Sequence, residues 1–171
     1  MDMDDEQVVT TPAQHAALGH PLRQRLLLAL GQGPSTISRL AGQLQVGKGS
    51  VAHHLRVLRE AGLVVAAERR QVRGGTEQYY QRTTRRLVSA DPQPSHTAAV
   101  LNAVATDIAA SPVETTLQLR QVRLSAKQAH RLTELLTRLV DKVEEADTDE
   151  PVHGVLVAVY QKADEPRDPS S

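Results

Sequence analysis

The sequence predicts an α+β fold that is mainly α, and three observations lead to this prediction. Apolar residues recur at helical spacing in several short segments of the first half of the chain. Two segments that favour strands flank a charged stretch with a Gly-Gly pair, which is typical of a hairpin. A long amphipathic segment in the second half lies between two further apolar segments that favour strands.

Composition narrows the kinds of core and site that the chain can build. Phe, Trp and Cys are absent, and three Tyr are the only aromatic residues among 171. The core must therefore be aliphatic, and a small core of this kind often needs a partner chain to complete its burial. The lack of Cys excludes a disulfide framework, a thiol nucleophile and a thiolate metal site.

The formal net charge of zero hides a strong asymmetry. Residues 13–86 carry twelve Lys and Arg against three Glu, a net charge of +9, so the remainder carries −9. This division favours a polyanion as partner of the first part and a different role for the rest, although a solvated basic face gives the same count.

Composition along the chain predicts a domain organisation with two tails. Residues 1–11 are acidic without an apolar run, so a disordered tail rather than a signal peptide is expected. Residues 12–90 are predicted to form one domain, the two prolines of 91–95 a linker, and 96–161 a second region. The polar residues 162–171 are expected to be disordered, and no apolar stretch is long enough to span a membrane.

Four helices are expected in the first domain, and each has an apolar face at helical spacing. The first covers residues 13–18. The second begins at Pro21, where the missing N–H costs nothing. Ser35 is expected to cap the third helix, and the fourth covers about 48–61, followed by Gly62 at a position that favours glycine.

A hairpin follows these helices, and a strand-helix-strand segment closes the chain. Strands are predicted from residue 63 and over 77–83, joined by a charged loop at 68–76. After a helix at 96–110, strands are predicted at 115–124 and 152–160. The long helix between them starts after Ser125 and has an apolar stripe of Leu132, Leu135, Leu136, Leu139, Val140 and Val143. We expect this segment to serve dimerisation or to bind an effector.

The fourth helix separates its side chains into two faces. Val51, Leu55 and Leu58 cluster on a helical wheel and must face inward, and His54 at their edge is expected to pack. The positions that point outward or lie at the N-terminal end are Lys48, Gly49, Ser50, Ala52, His53 and Arg56. The small residues permit close approach to a groove, His53 and Arg56 can donate to guanine N7 and O6, and the helix start can hold phosphates.

The hairpin adds a second basic element after this helix. Arg69, Arg70 and Arg73 suit contacts to a DNA backbone or to the adjacent minor groove. The order of two helices, a tight turn, a basic helix and a basic hairpin predicts a winged helix-turn-helix that binds duplex DNA.

Two segments carry a resemblance to a known family. Leu18-Gly19-His20-Pro21-Leu22-Arg23 and His53-His54-Leu55-Arg56-Val57-Leu58-Arg59-Glu60-Ala61-Gly62-Leu63-Val64 resemble ArsR-type winged helix-turn-helix regulators. The resemblance covers about residues 13–88, and the second strand of the hairpin and the acidic C-terminal part resemble an actinobacterial-like subgroup. It implies a homodimeric repressor that releases DNA when a signal arrives.

The chain departs from that family at positions that matter. Gly47, Gly49 and Ala52 stand where serines are frequent, so hydroxyl contacts to DNA are lost. The helix before the turn lacks the cysteines of the metal sensors, and His130 stands alone on its helix. We therefore predict no metal site and no cofactor.

The prediction is a sequence-specific transcription regulator, acting as a homodimeric repressor in the cytoplasm at the nucleoid, with an unidentified small molecule as a candidate further partner. An enzyme is not predicted, because no P-loop, dinucleotide motif or facing pair of carboxylates is present. Two alternatives stay open: an architectural, nucleoid-type DNA-binding protein with little sequence preference, and an interaction module that uses the acidic half.

Overall fold

The computed structural model describes residues 4–73, 75–88, 93–144, 146–147 and 150–161. It separates into two units, the first ending at Thr115 and the second starting at Thr116. The elements, in chain order, are β1 (Asp4–Val8), α1 (Pro12–Leu18), α2 (Pro21–Gly31), β2 (Ser35–Thr36), α3 (Ile37–Leu44), α4 (Lys48–Glu60), β3 (Val64–Val72), β4 (Gly75–Arg82), β5 (Thr84–Val88), α5 (Pro94–Ala109) and α6 (Ala126–Asp141). The predicted α+β winged helix-turn-helix is confirmed.

The core of the first unit is aliphatic, as the composition predicted. Its largest side chains with less than 2% exposure are Leu18, Leu26, Leu40, Leu55, Leu58, Leu63, Val51 and Val64. They come from α1 to α4, the turn after α4 and the start of β3, and Tyr80 and Leu87 pack against them while partly buried. Each fully buried Leu or Val contributes roughly 1.5–3 kcal/mol relative to an exposed position, so this cluster holds the four helices together.

Polar side chains fix the corner between α1 and α2. Thr11 and Gln14 form a capping box at the start of α1. At its other end Arg23 donates to the carbonyl oxygens of Ala16 and Ala17, and Gln24 Nε2 donates to Leu18 O at 2.7 Å. The last carbonyl groups of a helix lack partners within the helix, so these bonds satisfy α1 and set the position of α2.

The cap of α3 lies one residue later than predicted. Ser35 lies in β2 and pairs with Tyr80 of β4. Thr36 is the N-cap, and its Oγ1 accepts from Arg39 N at 3.3 Å. Ser35 is wrong as the cap because β2 extends through Thr36 and α3 begins only at Ile37, so Thr36 is the residue that directly precedes the helix. At the other end of α3, Gln45 adopts a left-handed conformation with φ 55°, and Val46 N donates to Ala41 O at 3.0 Å.

Gly62 ends α4 in the way that the sequence predicted. Its φ is +70°, its N–H donates to Arg59 O at 2.9 Å, and Leu63 N donates to Leu58 O at 2.9 Å. This pair of bonds is the Schellman motif, which places a left-handed residue directly after the helix. Leu58 and Leu63 are both buried, so the motif also turns the chain from α4 into β3 against the core.

The hairpin is longer than predicted. The sheet has the order β2-β4-β3, with β3 and β4 antiparallel up to the pair of Val72 with Gly75. Most of the predicted charged loop at 68–76 is therefore strand, because backbone pairing in a ribbon requires no apolar side chains. Gly74 lies outside the described residues.

A second small sheet joins the N-terminal segment to the end of the hairpin. β1 pairs in parallel with β5, so residues 4–8, expected to be disordered, form a strand. Val9 is buried in the core, and Thr83 Oγ1 donates to Gln7 Oε1 at 3.1 Å. Burial of Val9 and the backbone pairing order a segment whose acidic composition alone indicated a tail.

The helix predicted at 96–110 is α5, which belongs to the first unit and buries Ala99 and Ala103. The division into units therefore falls after α5 and not at the predicted linker, of which residues 91–92 lie outside the described part. The predicted tail at 162–171 also lies outside it.

The second unit contains α6, capped by Ser125 and Gln128 as a capping box. The strands predicted at 115–124 and 152–160 are wrong, since neither segment has strand structure here. Their apolar side chains are exposed, up to 80% at Leu117. A strand needs a neighbour to pair its backbone, so apolar composition alone does not produce one.

We expect Gly62→Ala to lower the free energy of unfolding by about 1–2 kcal/mol, because an L-residue pays this penalty in the left-handed region. The matched control is Gly49→Ala on α4, where a Cβ meets no atom within 4 Å. It should be neutral or stabilising by up to about 1 kcal/mol. Equal effects of the two variants in urea unfolding would contradict the assignment.

Candidate nucleic-acid interface

The two faces of α4 are those that the helical wheel predicted. Val51, Leu55 and Leu58 are at most 1% exposed and pack into the core. The exposed positions of the helix include all of the predicted site residues on it: Lys48, Gly49, Ser50, Ala52, His53 and Arg56. From Lys48 to Arg59 the exposed face carries three cationic side chains and no acid, because Glu60 is the first carboxylate. This face is suited to a polyanion.

The N-terminal end of α4 is open. Gly47 is the N-cap and provides no side-chain hydrogen bond to the first turn. The unpaired N–H groups there carry the positive end of the helix dipole, which favours an anion such as a phosphate. A Cβ added at Gly47 or Gly49 would meet no protein atom within 4 Å, so the surface around the helix start is unobstructed.

The two side chains predicted to read bases lie against each other. Arg56 Nη2 is 3.3 Å from His53 Nδ1, one turn apart on the exposed face. The guanidinium is always a donor, so the imidazole accepts through Nδ1 and keeps Nε2 for another partner. The pair presents several donors side by side, as two guanine acceptors require.

A cluster of rings joins α4 to the start of α2, and the sequence did not reveal it. The ring centroids of His54 and His20 are 4.4 Å apart, and those of His53 and His54 are 5.1 Å apart. His20 is the N-cap of α2, where its Nδ1 accepts from Leu22 N at 3.1 Å. His54 is half-buried, so its predicted packing role is confirmed, whereas His20 was recognised only as part of a motif.

The environment of this cluster disfavours positive charge. Burial first, then His20, Arg23 and His53, lower the pKa of His54 to about 4. Burial and the neighbouring Arg23 also lower the pKa of His20. Both rings are therefore neutral near pH 7, and they add no positive charge to that of the exposed face of α4.

The β3–β4 hairpin is the wing of the fold, and it carries the three arginines predicted to contact DNA. All three are exposed, but their surroundings differ. Arg69 Nε donates to Gln78 Oε1 at 2.8 Å. Arg70 forms an ion pair with Glu68 and lies 4.8 Å above the ring of Tyr79. Arg73 lies at the hairpin turn next to the end of β3. Gln78 was missed as a site residue, because an alternating strand pattern assigns faces but not hydrogen bonds.

The described part of the chain contains neither a metal-binding cluster nor a membrane-spanning helix. No group of three or more His, Cys, Asp or Glu is arranged to hold a metal ion there. No described helix is long and apolar enough to cross a membrane.

Comparison with known proteins supports the helix-turn-helix. A family model described as a helix-turn-helix domain matches residues 18–65. This match confirms the predicted resemblance to ArsR-type regulators over the segment from the end of α1 to the start of β3. No curated protein matches the chain.

Several solved structures are distantly similar. The transcriptional repressor BigR from Xylella fastidiosa is 25% identical, with 58% of this chain and 84% of that chain covered at a TM-score of 0.34. The cadmium metal-sensor CMTR from Mycobacterium tuberculosis is 26% identical, with 66% and 100% covered at a TM-score of 0.35. A possible transcriptional regulator for arsenical resistance is 22% identical, with 79% and 100% covered at a TM-score of 0.35. At these scores the likeness of the whole folds is distant.

The neutral His54 makes stability depend on pH in a defined direction. Between its ordinary value of 6.5 and the folded pKa of about 4, the unfolded chain binds a proton at His54 that the folded chain does not. Stability contributed by this ring is therefore present above pH 6.5 and is lost as the pH falls toward 4.

We expect His54→Asn to flatten the decline of the unfolding free energy between pH 6.5 and pH 4. The exposed His153→Asn is the control and should follow the wild-type profile. Urea unfolding at several pH values measures both. A His54→Asn profile as steep as that of the wild type would contradict the assignment.

Proposed function

We propose that this chain is a DNA-binding transcription regulator that acts as a sequence-specific repressor and binds duplex DNA as a homodimer at the nucleoid. The match of residues 18–65 to a helix-turn-helix domain supports this proposal. The single observation that carries the proposal is the arrangement of α4. Its apolar face packs into the core. Its exposed face presents cations and small residues beside the N-terminal end of the helix, where no side chain caps the first turn.

In the proposed complex α4 enters the major groove with its N-terminal end first. Gly49 and Ala52 permit close approach, and His53 with Arg56 donates to base edges. Lys48, Ser50 and the first N–H groups bind phosphate oxygens. The arginines of the β3–β4 wing contact the backbone beside this groove. The charge of +9 over residues 13–86 supports the same partner.

The homodimer is supported by apolar side chains that the described chain leaves exposed. Leu135 and Leu139 on α6 are 55% and 67% exposed, and Leu101 on α5 is 49% exposed. A second copy would remove these side chains from water, and two-fold pairing would supply two copies of α4 one DNA turn apart.

An architectural DNA-binding role is the second candidate, and one observation favours it. Gly49 and Ala52 bring no hydrogen-bonding group to the exposed face of α4, so fewer side chains can discriminate bases. Such a protein binds through phosphates, with steep salt dependence and little sequence preference.

Selection of bound duplexes from a random pool, followed by sequencing, tests the proposal and separates these two candidates. An enriched palindrome is expected for a dimeric, sequence-specific regulator. Binding without enrichment would favour the architectural role. Failure of the wild-type protein to retain duplex DNA at low salt would overturn both.

We expect Arg56→Ala to weaken binding to the selected site by about 1–3 kcal/mol and to relax preference at one base pair. Arg73→Ala should instead weaken binding to all sequences alike and reduce the slope of log K against log salt by about 1, as for a lost phosphate contact. Fluorescence anisotropy with specific and scrambled duplexes measures both. Identical losses on the two duplexes for Arg56→Ala would contradict its role as a base reader.

We expect Leu139→Lys on α6 to shift the homodimer toward monomer, because it places a charge in the apolar surface proposed to be covered. Thr137→Lys is the matched control, since Thr137 is exposed on the same helix but outside the apolar stripe. Light scattering during size-exclusion chromatography gives the mass. A wild-type protein that is monomeric at all concentrations would overturn the dimer.

A further inference from the structure

The wing contains an irregularity that changes which side chains share a face. Ala66 pairs with Tyr80 and Arg69 pairs with Gln78, so the two residues Ala67 and Glu68 oppose the single residue Tyr79. This is a β-bulge, which inserts one extra residue into a strand and re-aims the side chains that follow it.

The extra residue decides which charge lies opposite Gln78. In a regular ladder that starts from the pair of Ala66 with Tyr80, Glu68 would pair with Gln78 and Arg69 with Glu77. Directly paired residues share a face of the sheet, and a shift by one residue moves every side chain to the other face. The bulge therefore places Arg69, and not Glu68, on the face that carries Gln78 and Tyr80.

The side chain of Gln78 contacts both the backbone of the bulge and the side chain of Arg69. Its Nε2 lies 3.2 Å from the carbonyl oxygens of Ala67 and Glu68 and 2.8 Å from that of Tyr79. These are the three residues of the bulge itself. Its Oε1 accepts from Arg69 Nε at 2.8 Å. Carbonyl groups accept and a guanidinium only donates, so the bridge needs one donor and one acceptor on a single side chain, which an amide provides.

The hydrogen bond to Gln78 orients the Arg69 side chain but leaves its charge available to a ligand. The bond to Gln78 uses Nε, and among the described residues no partner is found for either Nη nitrogen of Arg69. Arg70, on the other face, is engaged with the Glu68 carboxylate and the Tyr79 ring. Of these two neighbouring arginines, Arg69 is the one held in place with its terminal donors free for a phosphate.

We propose that Gln78 is a positioning residue for DNA binding, which closes the bulge and presents Arg69 to the phosphate backbone. This inference rests on the proposed function, because it assigns a task within the same interface. Gln78 itself touches no DNA in this proposal and acts through Arg69.

The test compares Gln78→Met, Arg69→Ala and the double variant with the wild type on one duplex over a range of salt. Gln78→Met and Arg69→Ala should each weaken binding about 2- to 10-fold, the range that one net hydrogen bond contributes. Each should also reduce the salt slope by about 0.9, the value of one lost phosphate contact. The double variant should be no worse than Arg69→Ala, because both changes remove the same contact.

The matched control is Gln71→Met, since Gln71 lies on β3, the paired strand of the same hairpin, and its Oε1 accepts from Thr76 Oγ1 at 3.0 Å. It should bind as the wild type does. An unchanged salt slope in Gln78→Met, or losses that add in the double variant, would overturn the inference while leaving the proposed function intact. A wild-type protein that does not bind duplex DNA would instead overturn the proposed function.

A second variant pair guards against loss of the hairpin in Gln78→Met. Gln78→Glu keeps an acceptor for Arg69 but turns an oxygen toward the bulge carbonyl groups, whereas Gln71→Glu adds the same charge to the paired strand of the same hairpin. Gln78→Glu should bind more weakly than Gln71→Glu, with similar melting temperatures for the helical part. Equal binding of the two would overturn the role of the bulge.

Discussion

Burial of the inner face of α4 is the constraint on which the rest of the structure depends. Val51, Leu55 and Leu58 have almost no exposure, and their contacts with the leucines of α1, α2 and α3 leave the helix a single rotational setting. Rotation about its axis would bring polar side chains into an aliphatic core that offers them few partners. The face that points to solvent, and with it the candidate DNA-binding surface, follows from this packing.

The turns at the two ends of α4 and one ring contact then set its position along and across the core. The turn after α3 requires a left-handed Gln45, and the turn after α4 requires Gly62. Between these turns the ring of His54 contacts the tilted ring of His20, whose Nδ1 caps α2. Contact between neutral rings at half-buried positions tolerates the nearby Arg23, which a charged imidazole would not. Helix α4 is thus tied to the α1–α2 corner as well as to the core.

The wing is not held in shape by the hydrophobic core as the helices are. Few of its side chains reach the core, so backbone pairing and local hydrogen bonds determine its shape. The bulge at Ala67 and Glu68 shows the consequence, since one extra residue exchanges an acidic for a basic side chain on a face. Exposed ion pairs contribute little stability, so the contact of Arg70 with Glu68 matters more for where charge is available than for folding.

The sequence by itself determined the helices, their inner faces, the glycine after α4 and the exposed basic positions, because helical periodicity and capping are local properties. It could not determine the strand β1 or the bulge, since each depends on a pairing partner on another strand. The shift of the α3 cap from Ser35 to Thr36 likewise accompanies the pairing of β2 with β4. The sequence also predicted strands at 115–124 and 152–160 from apolar composition, which the structure does not contain. Tertiary structure alone decided that His20 meets His54 and that Gln78 holds Arg69, because hydrogen bonds and ring contacts require atoms to be placed in space.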